Sequence, residues 1–191
     1  MQIRKATKAD AGDLAYLINI AGEGIPAWLW TGMAAEGESA METGMKRAAR
    51  EEGGFSYVNA TIAEEGGNIM GMVLDYLQSD PYDTDGTQDM PDVIRPLLEL
   101  EAMEPGSWYI NAIATYEKYR GRGVASALLA VSEQAAVQAG ACRLSIIVAA
   151  NNRAACNLYR KRGYTDKAAR TIVPYPGCLY DGDWLLMVKD V

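Results

Sequence analysis

Hydrophobic and polar positions repeat along the chain with two periods, and these periods predict an alternation of strands and helices. Apolar residues three or four apart are typical of one buried helix face, whereas short apolar runs rich in β-branched and aromatic residues are typical of strands. The helices predicted in this way span residues 8–21, 39–52, 92–103, 123–139 and 152–162. The predicted strands span residues 1–6, 55–63, 69–77, 108–115, 143–149 and 184–188.

The order of these elements predicts a single α/β (α+β) domain over residues 1–191, with a mixed central sheet and helices on both faces. We expect a mostly antiparallel front half, because the glycine-rich segment 64–68 has the pattern of a hairpin turn. For the back half the pattern predicts a βαβα unit. Two stretches are predicted as loops: residues 22–30, broken by glycines and carrying two tryptophans, and the acidic residues 79–91.

Composition narrows the class of protein. Hydrophobic residues make up 49% of the chain and charged residues 23%, as in ordinary globular proteins. No apolar stretch approaches the roughly 18 residues that a membrane span needs, and no signal peptide pattern opens the chain. The three cysteines lack metal-ligand spacing, so we expect free thiols in a reducing cytoplasm and no metal site. The absence of histidine excludes mechanisms that use an imidazole base.

Charge is divided unevenly along the sequence. Residues 1–106 hold 7 basic and 19 acidic side chains, a net charge of −12, whereas residues 107–191 hold 11 basic and 6 acidic, a net charge of +5. This division predicts a basic region for a polyanionic cofactor and an acidic region for a cationic substrate. Nucleic acid is not an expected partner, since the chain is acidic overall and its basic residues are not interleaved with aromatic ones.

The strongest chemical signal is a predicted strand that runs into a glycine-rich turn and then a helix. Gly121 and Gly123 let the backbone approach a ligand, and the helix start offers unpaired N–H groups at the positive end of its dipole. With Arg120 and Arg122, this predicts a phosphate or pyrophosphate site. The Gly-Lys-Ser/Thr ending of a P-loop is absent, and Ser126 stands where the dinucleotide fingerprint needs Gly or Ala.

Two motifs then point to a family. Arg120, Gly123 and Ala125 fit the pattern Arg/Gln-x-x-Gly-x-Gly/Ala, and residues 152–164 fit Asn-x-x-Ala-x-x-Leu-Tyr-x-x-x-Gly-Phe/Tyr at every position. Over residues 107–164 the sequence therefore resembles the GNAT superfamily of N-acetyltransferases. The resemblance implies a GNAT-like fold and acetyl-CoA as acyl donor. It also implies that acetyl-CoA is bound by Ile113, Ala114, Thr115, Arg120, Gly121, Arg122, Gly123, Val124, Ala125, Ser126, Asn152, Ala155 and Tyr159.

The same resemblance implies roles for several of these residues. The backbone of residues 113–115 would pair with the pantetheine arm, the amides of residues 121–126 would hold the pyrophosphate, and Asn152 would contact the pantetheine. Tyr159 would lie beside the sulfur, where a phenol of pKa about 10 can protonate a departing thiolate of similar basicity. An N–H group near Thr115 would donate to the oxyanion of the tetrahedral intermediate.

The general base is left open by the sequence. The strand predicted at residues 143–149 carries no carboxylate. We expect the amine to lose its proton through ordered water, held by Asn111 or Tyr109 of the preceding strand. The carboxylates that remain as alternative bases are Glu23, Asp75, Glu101 and Glu117.

These features predict transfer of an acetyl group from acetyl-CoA to a primary amine of a small, cationic acceptor, by direct attack. The acidic residues 79–91 and the two tryptophans, Trp28 and Trp30, suit such an amine through charge and cation–π contact. A polyamine, an aminoglycoside-like amine or a peptide amino group is compatible. The alternatives are a non-catalytic acyl-CoA-binding sensor and a generic nucleotide-binding domain. Among relatives a homodimer is common, but the sequence does not determine the oligomeric state.

Overall fold

The computed structural model describes residues 1–83 and 90–191 of the chain. These residues contain seven strands and six α-helices. The strands are β1 (Gln2–Lys5), β2 (Ala60–Glu65), β3 (Asn68–Leu77), β4 (Trp108–Thr115), β5 (Arg143–Ala149), β6 (Thr165–Thr171) and β7 (Asp183–Asp190). The helices are α1 (Ala11–Ala21), α2 (Ile25–Met33), α3 (Ala40–Ala48), α4 (Arg95–Glu101), α5 (Val124–Ala139) and α6 (Arg153–Lys161).

The strands form one mixed sheet in the order β1-β2-β3-β4-β5-β7-β6. β1 with β2, β2 with β3, β5 with β7 and β6 with β7 are antiparallel, whereas β4 and β5 are parallel. The predicted class, a mixed and mostly antiparallel sheet in an α/β chain, is thereby confirmed. The elements that surround the glycine-rich turn, β4, α5 and β5, have the bounds that the sequence pattern predicts to within one residue.

The chain packs as two compact units. The first comprises residues 1–76 and 111–132, and the second comprises residues 77–110 and 133–191. The single domain therefore stays a prediction. The units do not follow the division of charge along the sequence, since the first holds 9 basic and 12 acidic residues and the second 9 and 13. The expected acidic and basic regions are thus mixed within each unit.

The first unit has its core between an antiparallel sheet and a layer of helices. α1 and α2 pack against α3. The hairpin predicted at residues 64–68 is present between β2 and β3 and turns at Gly66 and Gly67, whose φ values of 57° and 78° are typical of a two-residue hairpin turn. The fully buried side chains that fill this core are Leu14, Leu17, Ile18, Ile62, Met72 and Leu74.

The segment predicted as a tryptophan-bearing loop is instead the helix α2. Gly24 precedes the helix in a left-handed conformation with φ of 96°, and Pro26 occupies the first turn, where its missing N–H costs nothing. Trp30 is 2% exposed and packs so tightly on α3 that a Cβ at Gly44 would clash with its ring. The loop prediction is wrong, because tertiary packing rather than local pattern stabilises this short helix.

In the second unit, α4 packs against β5, β6 and β7. The sequence pattern missed β6, since this strand lies at the edge of the sheet and is mostly exposed and polar. β2 begins at Ala60 rather than at residue 55, after a short 3-10 turn in which Ser56 accepts a hydrogen bond from the Val58 N–H. No helix among the described residues has the length and apolar character required to cross a membrane.

Candidate active site

The position of β4 in the first unit depends on a close approach of backbone at Gly71 of β3. A Cβ at this position would lie 2.5 Å from the carbonyl oxygen of Ala114 and 3.1 Å from a methyl group of Val124. Only glycine fits between these groups, because real Cβ atoms do not approach other atoms so closely. Gly71 therefore fixes the end of β4 against the start of α5, the two elements that carry the predicted acyl-CoA residues.

The segment between β4 and the glycine-rich turn is anchored at Tyr116. Its N–H donates to the Met70 carbonyl oxygen at 2.9 Å, and its hydroxyl donates to Asp13 Oδ1 of α1 at 2.5 Å. Burial, followed by the bond to Asp13, raises the pKa of the Tyr116 phenol. The ring of Tyr116 also stacks on Tyr16 with centroids 5.3 Å apart. The turn therefore begins from a fixed residue.

The glycine-rich turn itself is exposed and opens α5. Gly121 and Gly123 have φ values of 74° and 80°, a left-handed conformation that favours glycine. The first helical bond of α5 runs from the Ala127 N–H to the Gly123 carbonyl oxygen at 3.0 Å. The N–H groups of residues 124–126 precede it and belong to the helix turn that has no intrahelical acceptor. A Cβ on either glycine would meet no atom within 4 Å, so the turn has open space in front of it.

Cationic side chains accompany the turn. Arg120 and Arg122 are both exposed. Arg122 donates to Glu65 Oε2 at 2.7 Å and lies 5.6 Å from the centre of the Tyr119 ring, over which Lys118 is also placed. The turn thus combines backbone donors with positive charge, which is the chemistry that a pyrophosphate needs.

The end of β4 offers a polar atom as well. The Thr115 hydroxyl oxygen is buried and has no hydrogen-bond partner among residues 1–83 and 90–191. A buried hydroxyl without a partner is uncommon and leaves hydrogen-bonding capacity for a ligand. Ile113 is half-buried and Ala114 is buried. The residues present therefore fit an acyl-CoA molecule, and the oxyanion donor near Thr115 stays a prediction.

The second motif lies on α6 in the second unit. Asn152 caps this helix, because its side-chain oxygen accepts a hydrogen bond from the Ala155 N–H at 3.2 Å. The hydrogen bond between Asn152 and Ala155 therefore stabilises the start of α6, and the binding of acetyl-CoA by these two residues stays a prediction. Tyr159 is 6% exposed, and its ring is tilted against Tyr164 with centroids 5.9 Å apart.

The two residues expected to hold a water molecule have different protein partners. Asn111, in the first unit, donates from Nδ2 to the Tyr76 hydroxyl at 2.8 Å. Tyr109, in the second unit, donates from its hydroxyl to Glu101 Oε1 at 3.1 Å. Tyr109 is thus joined directly to one of the carboxylates that the sequence left as alternative bases.

Glu101 is half-buried and accepts hydrogen bonds from two phenols. Its Oε2 accepts a second hydrogen bond, from the Tyr82 hydroxyl at 3.0 Å. Burial raises the pKa of the Glu101 carboxyl, while the two phenols act in the opposite direction. Glu117 by contrast is exposed. Sequence reasoning did not find Tyr82, because it lies 19 residues before Glu101 and no spacing signal connects them.

Asp75 and Glu23 are both buried. Glu23 is the non-glycine residue with positive φ, 56°, in the described part of the chain. In that same part, no group of three or more cysteine, aspartate or glutamate side chains is arranged to hold a metal ion.

Comparison with known proteins agrees with the two motifs. The sequence profile of the acetyltransferase (GNAT) family matches residues 23–164. No curated protein sequence matches the chain at a significant level. Solved structures do match in fold. An N-acetyltransferase from Staphylococcus aureus Mu50 has a TM-score of 0.64 and 20% identity, over 98% of this chain and 100% of that one.

Two further structures are similar to this chain. A ribosomal-protein-alanine N-acetyltransferase from Brucella melitensis has a TM-score of 0.63 and 21% identity over the whole of both chains. A putative streptothricin acetyltransferase from Bacillus anthracis str. Ames, solved in complex with acetyl coenzyme A, has a TM-score of 0.50 and 21% identity over 69% of this chain and 61% of that chain. At such identities the likeness establishes a shared fold. Because the family profile covers more than half of the sequence, the chain belongs to the acetyltransferase (GNAT) family, whose acyl donor is acetyl-CoA.

Proposed function

We propose that this acetyltransferase transfers the acetyl group of acetyl-CoA to a primary amine of a small, cationic acceptor. The observation that carries the proposal is the exposed turn at Gly121 and Gly123, which opens α5 with unpaired N–H groups and open space. The amides of residues 121–126 would hold the pyrophosphate, with charge from Arg120 and Arg122. The backbone of residues 113–115 would bind the pantetheine arm.

The protein must assist the reaction at three points. The amine must lose a proton before it attacks, the oxyanion that forms on the carbonyl needs a donor, and the sulfur needs a proton as it leaves. We assign the last to Tyr159, because it is buried on α6 and carries a phenol whose basicity matches that of a thiolate. We assign the oxyanion donor to an N–H near Thr115.

The cationic character of the acceptor rests on carboxylates. Asp80 and Asp83 are exposed in the acidic segment, whereas Asp85 and Asp89 lie outside the described residues. The expected cation–π contact of the amine with Trp30 has less support than the sequence implied, because Trp30 is buried in the first unit. Polyamines, aminoglycoside-like amines and peptide amino groups are the acceptor classes to compare. A cytoplasmic location and a homodimer also remain predictions.

The test joins binding to turnover. Calorimetry measures the Kd of acetyl-CoA, and a free-thiol assay measures release of CoA with each amine class. We expect micromolar binding and amine-dependent thiol release. Tyr159→Phe should lower kcat by about 100-fold or more without changing the Kd, because only the departing thiolate loses its proton donor.

Tyr164→Phe is the matched control, since it makes the same chemical change on the neighbouring ring, at a position where the family motif accepts Phe. It should retain turnover. Binding without thiol release on any amine would favour the sensor function. Preference for ATP or NAD over CoA would contradict both functions and favour a generic nucleotide-binding domain.

A further inference from the structure

Three glutamates follow one another around the end of α4, and only one of them lacks a cationic partner among the described residues. Glu99 pairs with Arg170 of β6 at 2.6 Å. Glu104 pairs with Arg143 of β5 at 3.0 Å and also contacts Lys167 of β6. Both carboxylates are therefore paired with cations.

Glu101 differs from these neighbours in the chemistry of its partners, and it is half-buried, whereas Glu104 is buried and Glu99 is exposed. Its two oxygens accept hydrogen bonds from two neutral phenols, Tyr109 at 3.1 Å and Tyr82 at 3.0 Å. The basic side chains on the strands that pack against α4 are already engaged elsewhere, and no cation bonds Glu101 within residues 1–83 and 90–191. Those engaged pairs are Arg143 with Asp190, Lys167 with Glu104, Arg170 with Glu99 and Lys189 with Glu133.

Glu101 is half-buried, and a carboxylate that is partly removed from water with neutral rather than cationic partners is a candidate for proton transfer. Burial raises the pKa of Glu101, which makes the carboxylate a better proton acceptor than an exposed one. The proposed reaction lacks such an acceptor on β5, because residues 143–149 contain no carboxylate.

We propose that Glu101 is the proton acceptor for the attacking amine and that the Tyr109 phenol conducts the proton to it. This rests on the proposed function. Tyr109 rather than Tyr82 is the conductor because it lies on β4, the strand whose later residues 113–115 are assigned to the acyl-CoA.

The protons balance as follows. Tyr109 gives its hydroxyl proton to Glu101 as it takes one from the ammonium group, directly or through water, which leaves a neutral amine. The nitrogen lone pair forms the C–N bond at the thioester carbonyl carbon, and the carbonyl π pair moves to oxygen. The C–S bond then breaks with its electron pair on sulfur. Tyr159 protonates that sulfur and recovers its proton from the new amide nitrogen, and Glu101 releases its proton to solvent.

The decisive measurement is the pH profile of kcat/KM in the full-length protein with an amine that the wild type acetylates. Because the acceptor must be ionised, activity falls as the pH drops through the pKa of Glu101, above the ordinary carboxyl value of about 4.3. Glu101→Gln should lower kcat about 100-fold and remove this acid limb, with the Kd of acetyl-CoA unchanged. Glu101→Asp should recover part of the activity and restore the limb.

Two tyrosine variants distinguish proton transfer through Tyr109 from a purely structural role of the phenols that contact Glu101. Tyr109→Phe and Tyr82→Phe each remove one phenol from the same carboxylate at nearly the same distance. Tyr109→Phe should lower kcat at least tenfold, whereas Tyr82→Phe should lower it at most a few-fold and shift the acid limb to higher pH, because the ionised carboxylate loses a donor. Glu99→Gln, the same change on an ion-paired neighbour, should leave the profile intact.

The outcomes are distinguishable. Equal, small losses in the two tyrosine variants would overturn the relay. A Glu101→Gln protein that keeps both kcat and the acid limb would overturn the proposal while the transferase function stands. If the wild-type protein itself released no thiol with any amine, the proposed function would fail, and this proposal with it.

Discussion

The glycine-rich turn of the first unit and the tyrosine–glutamate cluster of the second unit are two ways of building a site. The turn offers mainly backbone N–H groups, made available by two left-handed glycines and a helix start. The cluster offers side chains only, with Glu101 between two phenols from distant parts of the chain. The first kind of site suits the binding of an anion, and we propose that the second kind moves protons.

The difference shows which kind of site a sequence motif can predict. A backbone site is encoded locally, because glycine spacing determines the conformation and the helix that follows supplies the donors. A side-chain site depends on which residues the fold brings together. Tyr82, Glu101 and Tyr109 belong to a segment, a helix end and a strand that no motif connects.

The largest effect should come from Gly71, on which the backbone site depends. Gly71→Ala places a methyl group 2.5 Å from the Ala114 carbonyl oxygen, so β3 and β4 must move apart. We expect the free energy of unfolding to fall by about 3 kcal/mol, measured by urea denaturation, and acetyl-CoA binding to weaken. Gly32→Ala is the control, since a Cβ there meets no atom within 4 Å and alanine favours α2 by up to about 1 kcal/mol. Equal stability of the two variants would contradict the packing argument.

Asp10 gives the next largest effect, and it contrasts with Glu101 because its partner is a cation rather than two phenols. Hydrogen bonds from Arg4, at 2.8 and 2.9 Å, lower the pKa of Asp10 to about 2, the opposite direction from Glu101. A depressed carboxyl pKa contributes stability above the unfolded value of about 3.9, and that stability is lost as the pH falls towards 2.

Asp10→Asn should therefore lower the free energy of unfolding by about 2 kcal/mol at pH 7, with the difference fading between about pH 4 and pH 2. Denaturation at several pH values measures it. Asp92→Asn is the control, because its pair with Arg95 is exposed and should contribute little. A pH-independent difference for Asp10→Asn would show that packing, not the ion pair, is responsible.

The smallest effect concerns the charge beside the turn. Glu65 holds Arg122 at 2.7 Å in an exposed pair, so Glu65→Gln should free the guanidinium for the pyrophosphate. We expect acetyl-CoA to bind two- to threefold more tightly at low salt, with the gain lost at high salt as charges are screened. Calorimetry at two ionic strengths measures it, and exposed Glu51→Gln is the control. Weaker binding would mean that Glu65 positions Arg122 rather than competing for it.

The sequence by itself determined the elements with strong periodicity and the family. Apolar spacing predicts β4, α5 and β5 to within one residue, and the motifs at Arg120–Ala125 and Asn152–Tyr164 are sufficient to indicate an acetyltransferase. Such elements are predictable because their signals are local: apolar spacing, a glycine turn and a capping residue.

The tertiary structure decided the rest. It made residues 25–33 a helix, since Trp30 packs on Gly44. It also paired β6 with β7, although the polar sequence of β6 does not have the pattern that predicts a strand. It also placed Glu101, one of the candidate carboxylates, between two phenols. Burial and hydrogen bonding between distant residues have no local signature, and they set the proton affinity of a side chain.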